Sequence, residues 1–104
     1  MGLLGKLMGM GGGSSEALVA KIQAGAKIVD VRSPAEFADG HYAKAINIPV
    51  NTLQGRYKDF GLKDKPIIVY CASGARSAMA ARMLKAEGFT DVTNGGGLSD
   101  MPKV

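Results

Sequence analysis

Two kinds of hydrophobic pattern alternate along the chain from Ser15 onward. Short continuous apolar runs predict buried strands, and segments in which apolar residues recur every three or four positions predict amphipathic helices. The predicted strands are residues 27–31, 45–48, 67–70 and 91–93, and the predicted helices are residues 15–24, 51–60 and 77–87, with a shorter one that starts at Pro34. Strands and helices that alternate at this spacing are typical of a parallel sheet covered by helices, so we predict an α/β domain.

Capping signals define the ends of these helices. The segment Ser33-Pro34-Ala35-Glu36 combines an N-cap, a proline at the first helical position and a glutamate three residues after the cap, and Gly40 ends this helix. Ser15 and Asn51 are placed to cap two of the other helices. The residues expected to terminate the first and last helices are Gly25 and Gly88.

The apolar positions also predict a core. The run Ile67–Tyr70 suits a strand that is buried on both faces, so we place it at the centre of the sheet. The helix residues expected to face this sheet are Leu18, Val19 and Ile22 in the first helix and Met79, Ala80, Met83 and Leu84 in the last.

The first 14 residues differ in composition from the rest. They are rich in glycine, and ordering them would cost more backbone entropy than their few apolar side chains could return. We therefore predict a flexible tail over residues 1–14 and one domain over residues 15–104. The alternative is a small amphipathic membrane anchor that uses Leu3, Leu4, Leu7 and Met8, which the glycines oppose.

Composition and charge narrow the functional classes. With 46% hydrophobic and 21% charged residues, the sequence is typical of a globular domain, and its net charge of +4 comes from 13 basic and 9 acidic residues that are scattered rather than clustered. No basic stretch is interleaved with aromatic residues, so we do not expect nucleic-acid binding. No apolar window is long enough to span a bilayer, and the start of the chain has no signal-peptide cleavage pattern.

The chain has a single cysteine, Cys71, directly after the central strand and before a glycine-containing turn. One cysteine cannot form an intramolecular disulfide or a thiolate metal site, so we expect a reducing compartment, the cytoplasm. The carboxyl ends of parallel strands are the usual ligand site of such sheets, and the next helix aims its N–H groups there. A thiolate in this position has a lowered pKa, and the guanidinium of Arg76 is suited to sulfonate or phosphate oxygens.

Simpler structural roles compete with these functional ones. Cys71 could be a buried, inert thiol, and Arg76 could form an ion pair with Asp30 or Glu36 that closes the loop. Ser77 is expected to cap the last helix, whereas Ser73 could either cap it or donate to a bound anion.

Two separated motifs resemble the rhodanese family. The first is the segment 30–37 (DVRSPAEF), followed by Gly40-His41 and by the segment 45–49 (AINIP), and the second is the loop 71–76 (CASGAR) followed by Ser77. Gly95-Gly96-Gly97 also resembles a glycine run of that family. The resemblance covers nearly everything from Ser15 to Met101, and it implies a rhodanese-like fold with an open, mostly parallel five-stranded sheet and helices on both faces.

The resemblance implies sulfur transfer through a persulfide. Cys71 would be the catalytic nucleophile, and the residues implied to bind substrate are Ala72, Ser73, Gly74, Ala75, Arg76 and Ser77. Thiosulfate or a similar anion would donate the sulfur, and cyanide, a thiol or a sulfur-relay protein would accept it. No metal or organic cofactor is implied.

Other residues of the motifs are expected to be structural. We interpret His41 as a turn residue, and Asp30, Arg32 and Glu36 as a polar network that braces the fold. The chain also departs from the family at two positions. Lys44 stands where glycine is frequent, so a positive φ would strain it, and Met101 stands where the family often has tryptophan.

Two other functions remain open from the sequence. Related phosphatases also use a Cys loop that ends in Arg, but with five intervening residues, whereas Cys71 and Arg76 enclose four. The other alternative is a sulfur-carrier or interaction module with little turnover on free thiosulfate, because nothing in the sequence specifies the acceptor.

Overall fold

The computed structural model describes residues 15–103, so the predicted tail at residues 1–14 lies outside the described residues. The helices are α1 (Ser15–Gln23), α2 (Pro34–Ala38) and α3 (Ala75–Ala86). The strands are β1 (Lys27–Asp30), β2 (Ile46–Asn47), β3 (Ile67–Cys71) and β4 (Val92–Gly97). Short 3₁₀ helices cover Val50–Gly55, Tyr57–Phe60 and Leu98–Asp100.

The strands form one parallel sheet in the order β2-β1-β3-β4. β3 is buried along its whole length and is paired on both sides, which confirms the central position predicted for it. The sheet has four strands in the described part of the chain rather than five. The fifth strand had been implied by the family resemblance, whereas the sequence itself contains apolar runs for four.

Helices cover both faces of the sheet, as predicted. Alternate residues of β3 face opposite sides because side chains alternate along a strand. Val69 and Cys71 pack with Leu84 of α3 in one cluster. Ile68 and Tyr70 pack in a second cluster that also contains the following residues: Leu18, Ile28, Ala45 and Met101. Cys71 is therefore on the α3 side of the sheet.

The predicted helix over residues 51–60 is wrong. The segment forms two 3₁₀ helices that are separated at Arg56, where the backbone has φ −131° and ψ 25°, and Pro49 rather than Asn51 precedes the first of them, with no side-chain cap. Its first part includes Asn51, Thr52 and Gly55, which are poor helix formers. Leu53 and Phe60 anchor the segment instead by being buried.

The predicted inward face of the last helix needs correction. α3 begins at Ala75 rather than Ser77, and Met79 is 48% exposed instead of facing the sheet. The buried residues of this helix are Ser77, Ala80, Ala81 and Leu84. The helix thus follows the predicted period of three or four, and the buried series includes a serine that the apolar pattern could not identify.

β4 continues through the glycine run to Gly97, which pairs with Cys71. A side chain on Gly97 would collide with the carbonyl oxygen of Ala72, and a Cβ on Gly95 would lie 2.6 Å from the sulfur of Met101. These glycines therefore allow the last strand to approach the cysteine loop closely. Met101 is 6% exposed and occupies the apolar position predicted for it.

The other departure from the family, Lys44, lies in a strained backbone conformation. Lys44 has φ 69°, a left-handed conformation that costs energy for any residue with a Cβ. This confirms the strain predicted for a lysine at a position where glycine is frequent. No helix within residues 15–103 is long and apolar enough to cross a membrane.

Candidate active site

The cysteine loop lies at the carboxyl end of β3, between that strand and α3. Gly74 is the N-cap residue of α3. Its φ is 101°, a conformation that glycine adopts without strain. This conformation turns the N–H groups of the loop toward the sulfur of Cys71. The Gly74 N–H donates to Sγ at 3.0 Å and the Ser77 N–H donates to it at 3.3 Å.

The electrostatic effect of this arrangement favours a thiolate. Burial raises the pKa of Cys71, but hydrogen bonds from the Ser77 hydroxyl and from backbone N–H groups outweigh burial, so the pKa lies below its usual range. The backbone donors belong to Ser77, Gly74 and Ser73. A thiolate that is held by neutral donors is a competent nucleophile.

Cys71 is fully buried in this structure, with 0% relative exposure. The loop residues that cover it are exposed or half-buried, in contrast to the cysteine itself: Ala72, Ser73, Gly74 and Ala75. The sulfur is thus buried, as an inert core cysteine would be, but it lies directly below a thin surface loop and accepts hydrogen bonds from that loop. Because Cys71 is 0% exposed, contact between Sγ and a reactant requires the loop above it to move.

Ser77 lies beneath the sulfur and does not cap α3, which corrects the role predicted for it. It is the third residue of the helix and is fully buried. Its Oγ is 3.3 Å from Sγ of Cys71 and 2.6 Å from Oδ1 of Asn94. The sequence analysis missed Asn94, for which the available signal was a polar residue in a strand next to the glycine run.

Arg76 forms an ion pair with Glu36 across the mouth of the loop. Its two terminal nitrogens lie 2.7 and 3.0 Å from the two carboxylate oxygens. The hydrogen bond from Arg76, followed by one from the Ser33 N–H, lowers the pKa of Glu36 to about 2. Of the two roles considered for Arg76, this geometry supports bracing, with Glu36 rather than Asp30 as the partner.

Asp30 pairs with Arg32 instead. The carboxylate accepts bonds of 2.7 to 3.0 Å from this guanidinium, which also donates to the Gly40 carbonyl at 2.6 Å. Both residues are buried, Asp30 at 0% and Arg32 at 7% exposure. His41 stacks on Phe37 with ring centroids 3.7 Å apart. Its Nδ1 also forms a hydrogen bond with the carbonyl oxygen of Phe37. These contacts match structural roles for the first motif.

Comparison with known proteins identifies the family to which the chain belongs. The model of the rhodanese-like domain family matches residues 14–100. Thiosulfate sulfurtransferase PspE of Escherichia coli (strain K12) is 40% identical over 80 residues, which cover 73% of this chain and 76% of PspE. The uncharacterized protein YqhL of Bacillus subtilis (strain 168) is 41% identical over 69 residues, which cover 66% of this chain and 54% of YqhL.

A solved structure extends the likeness from sequence to fold. A rhodanese with anions from E. coli superposes with a TM-score of 0.69 at 38% identity, covering 75% of this chain and 95% of that one. Several curated relatives are longer proteins, and the chain spans little more than half of YqhL, for example. Since the family model covers most of the sequence and the fold is shared, the chain belongs to the rhodanese-like domain family.

Proposed function

We propose that the protein is a sulfurtransferase that carries a sulfane sulfur as a persulfide on Cys71. The observation that supports this most directly is that the N–H groups of Gly74 and Ser77 both donate to Sγ, with the Ser77 hydroxyl also in contact at 3.3 Å. Relatives that are named sulfurtransferases, such as PspE, belong to the same family. Thiosulfate or a similar anion is the proposed donor.

The first half-reaction loads the cysteine. The Cys71 thiolate attacks the outer sulfur of thiosulfate, an S–S bond forms to Sγ, and the bond between the two thiosulfate sulfurs breaks. Sulfite leaves with the bonding electron pair, and the negative charge of the enzyme remains on the terminal persulfide sulfur. The N–H groups of Ala72, Ser73 and Ala75 belong to the loop over Sγ and are the proposed donors to this outer sulfur.

The second half-reaction regenerates the thiolate. A cyanide ion or a thiolate acceptor attacks the terminal sulfur, and the S–S bond to Sγ breaks with its electron pair returning to Cys71. With cyanide the product is thiocyanate. Because the cysteine must be reduced to begin each cycle, we propose that the protein works in a reducing compartment such as the cytoplasm.

Arg76 is the proposed guide for the anionic donor, although it is paired with Glu36. This ion pair is partly exposed, with the Arg76 side chain 39% and the Glu36 side chain 36% accessible, so a sulfonate can approach the guanidinium from the solvent side. The pairing reduces the net positive charge at the mouth of the loop. We therefore expect weak binding of free thiosulfate.

The test is direct loading of the reduced protein. We expect incubation with thiosulfate to add the mass of one sulfur atom, and cyanide to remove it with formation of thiocyanate. Cys71→Ser should show neither event, and because Cys71 is the single cysteine of the chain, the added mass can be assigned to it. A wild-type protein that gains no sulfur from thiosulfate contradicts thiosulfate as donor.

Two observations favour a second function, a sulfur carrier that works with partner proteins. Cys71 is fully buried and Arg76 is already paired, which disfavours capture of a small free anion. A docking partner could open the loop and present its own persulfide. Loading by a cysteine desulfurase or a persulfidated peptide, together with no loading by thiosulfate, would support the carrier over the free enzyme.

A further inference from the structure

The hydroxyl of Ser77 is surrounded by more acceptors than it can serve. Besides Sγ of Cys71 at 3.3 Å, its Oγ faces Oδ1 of Asn94 at 2.6 Å and the carbonyl oxygens of Gly74 and Gly96 at 3.2 and 3.4 Å. A serine hydroxyl has one proton to donate. The shortest of these distances places that proton on the side of Asn94.

The orientation of the Asn94 amide is fixed by the backbone. Oδ1 accepts from the Gly96 N–H at 2.9 Å, and a backbone N–H can only donate, so this atom is the oxygen and not the nitrogen of the amide. The Nδ2 group faces the Gly74 carbonyl at 3.5 Å, as a donor should. Asn94 therefore presents a permanent acceptor to Ser77.

This geometry suits the two protonation states of Cys71 differently. When Ser77 donates to Asn94, its oxygen lone pair faces Sγ, where it can accept from a neutral S–H group but opposes a thiolate. When Cys71 is charged, the hydroxyl must turn to Sγ and give up the 2.6 Å bond to Asn94. Asn94 and the charged sulfur thus compete for one proton.

We propose that Asn94 is a positioning residue that holds the Ser77 proton away from Cys71, so that the hydroxyl turns to the sulfur only when the sulfur is charged. The proposal concerns the ionisation of the thiol and does not depend on which sulfur donor the protein uses. It predicts that removing the Asn94 acceptor frees Ser77 from its shortest competing bond, so that the hydroxyl donates to Sγ more readily, with the Gly74 and Gly96 carbonyls at 3.2 and 3.4 Å as the remaining competitors.

The charged groups of the wild-type protein near the loop are retained in every variant of the test, and only Asn94→Asp adds a new one. They are Arg76 of α3 with its partner Glu36 of α2, the Asp30–Arg32 pair at the end of β1, and Asp100 after β4, which accepts from the Gly97 N–H. A change in the ionisation of Cys71 on substitution of Asn94 by an uncharged residue therefore reports on the hydrogen bonds described above.

The experiment measures the alkylation rate of Cys71 by iodoacetamide from pH 4 to pH 10, followed by intact mass. In Asn94→Leu we expect the pKa of Cys71 to fall by about one unit, a tenfold gain in reactivity at pH values below it. In Asn94→Asp, which keeps the acceptor and adds a negative charge, we expect the pKa to rise. Damage to the loop would remove N–H donors and raise the pKa in both variants.

Two controls separate this proposal from a structural role. In a Ser77→Ala background, Asn94→Leu should leave the pKa of Cys71 unchanged, because no hydroxyl remains to be released. Thr93→Val removes a polar group from the adjacent position of β4, whose side chain points to the other face of the sheet, and should also leave it unchanged. A pKa that does not fall in Asn94→Leu, or that falls equally without Ser77, overturns the proposal.

Discussion

Two polar clusters lie at the carboxyl edge of the sheet, and they are built from different chemistry. The first, the charged brace, consists of the pairs Asp30–Arg32 and Glu36–Arg76. The second, the neutral cradle, consists of the backbone donors to Cys71 together with Ser77 and Asn94. Full charges pair with each other in the brace, where Glu36–Arg76 joins α2 to α3, whereas Sγ of Cys71 is surrounded by dipoles.

The difference follows from what each cluster must do. A charged partner in contact with the thiolate would also hold its pKa low, but it would place a second full charge in a buried site, where desolvation is costly. Backbone N–H groups stabilise negative charge without an opposite charge, and they suit the outer sulfur of the persulfide proposed above as well as Sγ. The charges are instead placed where they fix α2 and α3 relative to the loop.

The largest effect should come from the buried part of the charged brace. Asp30→Ala leaves the guanidinium of Arg32 buried without its partner, which typically costs about 3–5 kcal/mol. We expect this loss in the free energy of unfolding measured by urea denaturation. The matched control is Asp59→Ala, which breaks the exposed pair with Arg56 and should cost less than about 1 kcal/mol. Equal losses in both variants would show that burial does not distinguish the pairs.

The neutral cradle is tested next at Gly97, where the backbone of β4 lies close to that of the cysteine loop. In Gly97→Ala the new methyl group would collide with the Ala72 carbonyl oxygen, so the loop must shift. We expect a cost of about 1–3 kcal/mol, as for other overpacked sites, and a pKa of Cys71 that moves back up as N–H donors are displaced. Gly55→Ala is the control because its Cβ meets nothing within 4 Å. Unchanged thiol reactivity in Gly97→Ala would mean that the cradle does not depend on this contact.

The exposed pair of the charged brace should give a smaller, pH-dependent effect. The pKa of Glu36 is about 2 in the folded protein, below its usual value of 4.5, so its contribution to stability is present above pH 4.5 and is lost as pH falls toward 2. Because the pair is partly exposed, solvent screening keeps this effect small. Unfolding of the wild type and of Glu36→Gln should therefore differ at pH 6 and converge near pH 2. A difference that is the same at both pH values would contradict this linkage.

A backbone position outside both clusters should give the smallest effect. Lys44→Gly relieves the left-handed strain at φ 69° but adds entropy to the unfolded chain, so we expect a net gain of about 0.5–1 kcal/mol. Lys44→Ala retains the Cβ and should give no gain. Thermal unfolding of the two variants at neutral pH makes this comparison, and equal stability of the two would exclude strain as the cause.

The features that could be predicted from sequence are those whose signals are local. The capping box at Ser33 and Glu36 is confirmed, with both of its hydrogen bonds formed. The position of Cys71 at the end of the central strand followed from the apolar run before it. The strain at Lys44 could be predicted from one departure within a recognised motif.

The neutral cradle could be predicted only in part, because its members meet through tertiary contacts. Ser77 and Asn94 are 17 positions apart, and their hydrogen bond depends on how β4 lies against α3. The exposure of Met79 likewise depends on the rotation of α3, which a helical period leaves free within one residue. The 3₁₀ helices after Pro49 reflect weak local preference that packing of Leu53 and Phe60 overrides.

Because Cys71 is completely buried, its modification can be used to measure local opening of the native protein. Local openings of a native protein range in free energy from nearly zero at loops to the full unfolding free energy in the core. At a pH where the thiol is fully ionised, the rate at which a small reagent modifies Sγ is limited by how often the loop above it is open. A time course of intact mass therefore reports how often the structure opens at Sγ, as amide hydrogen exchange reports local opening for the backbone.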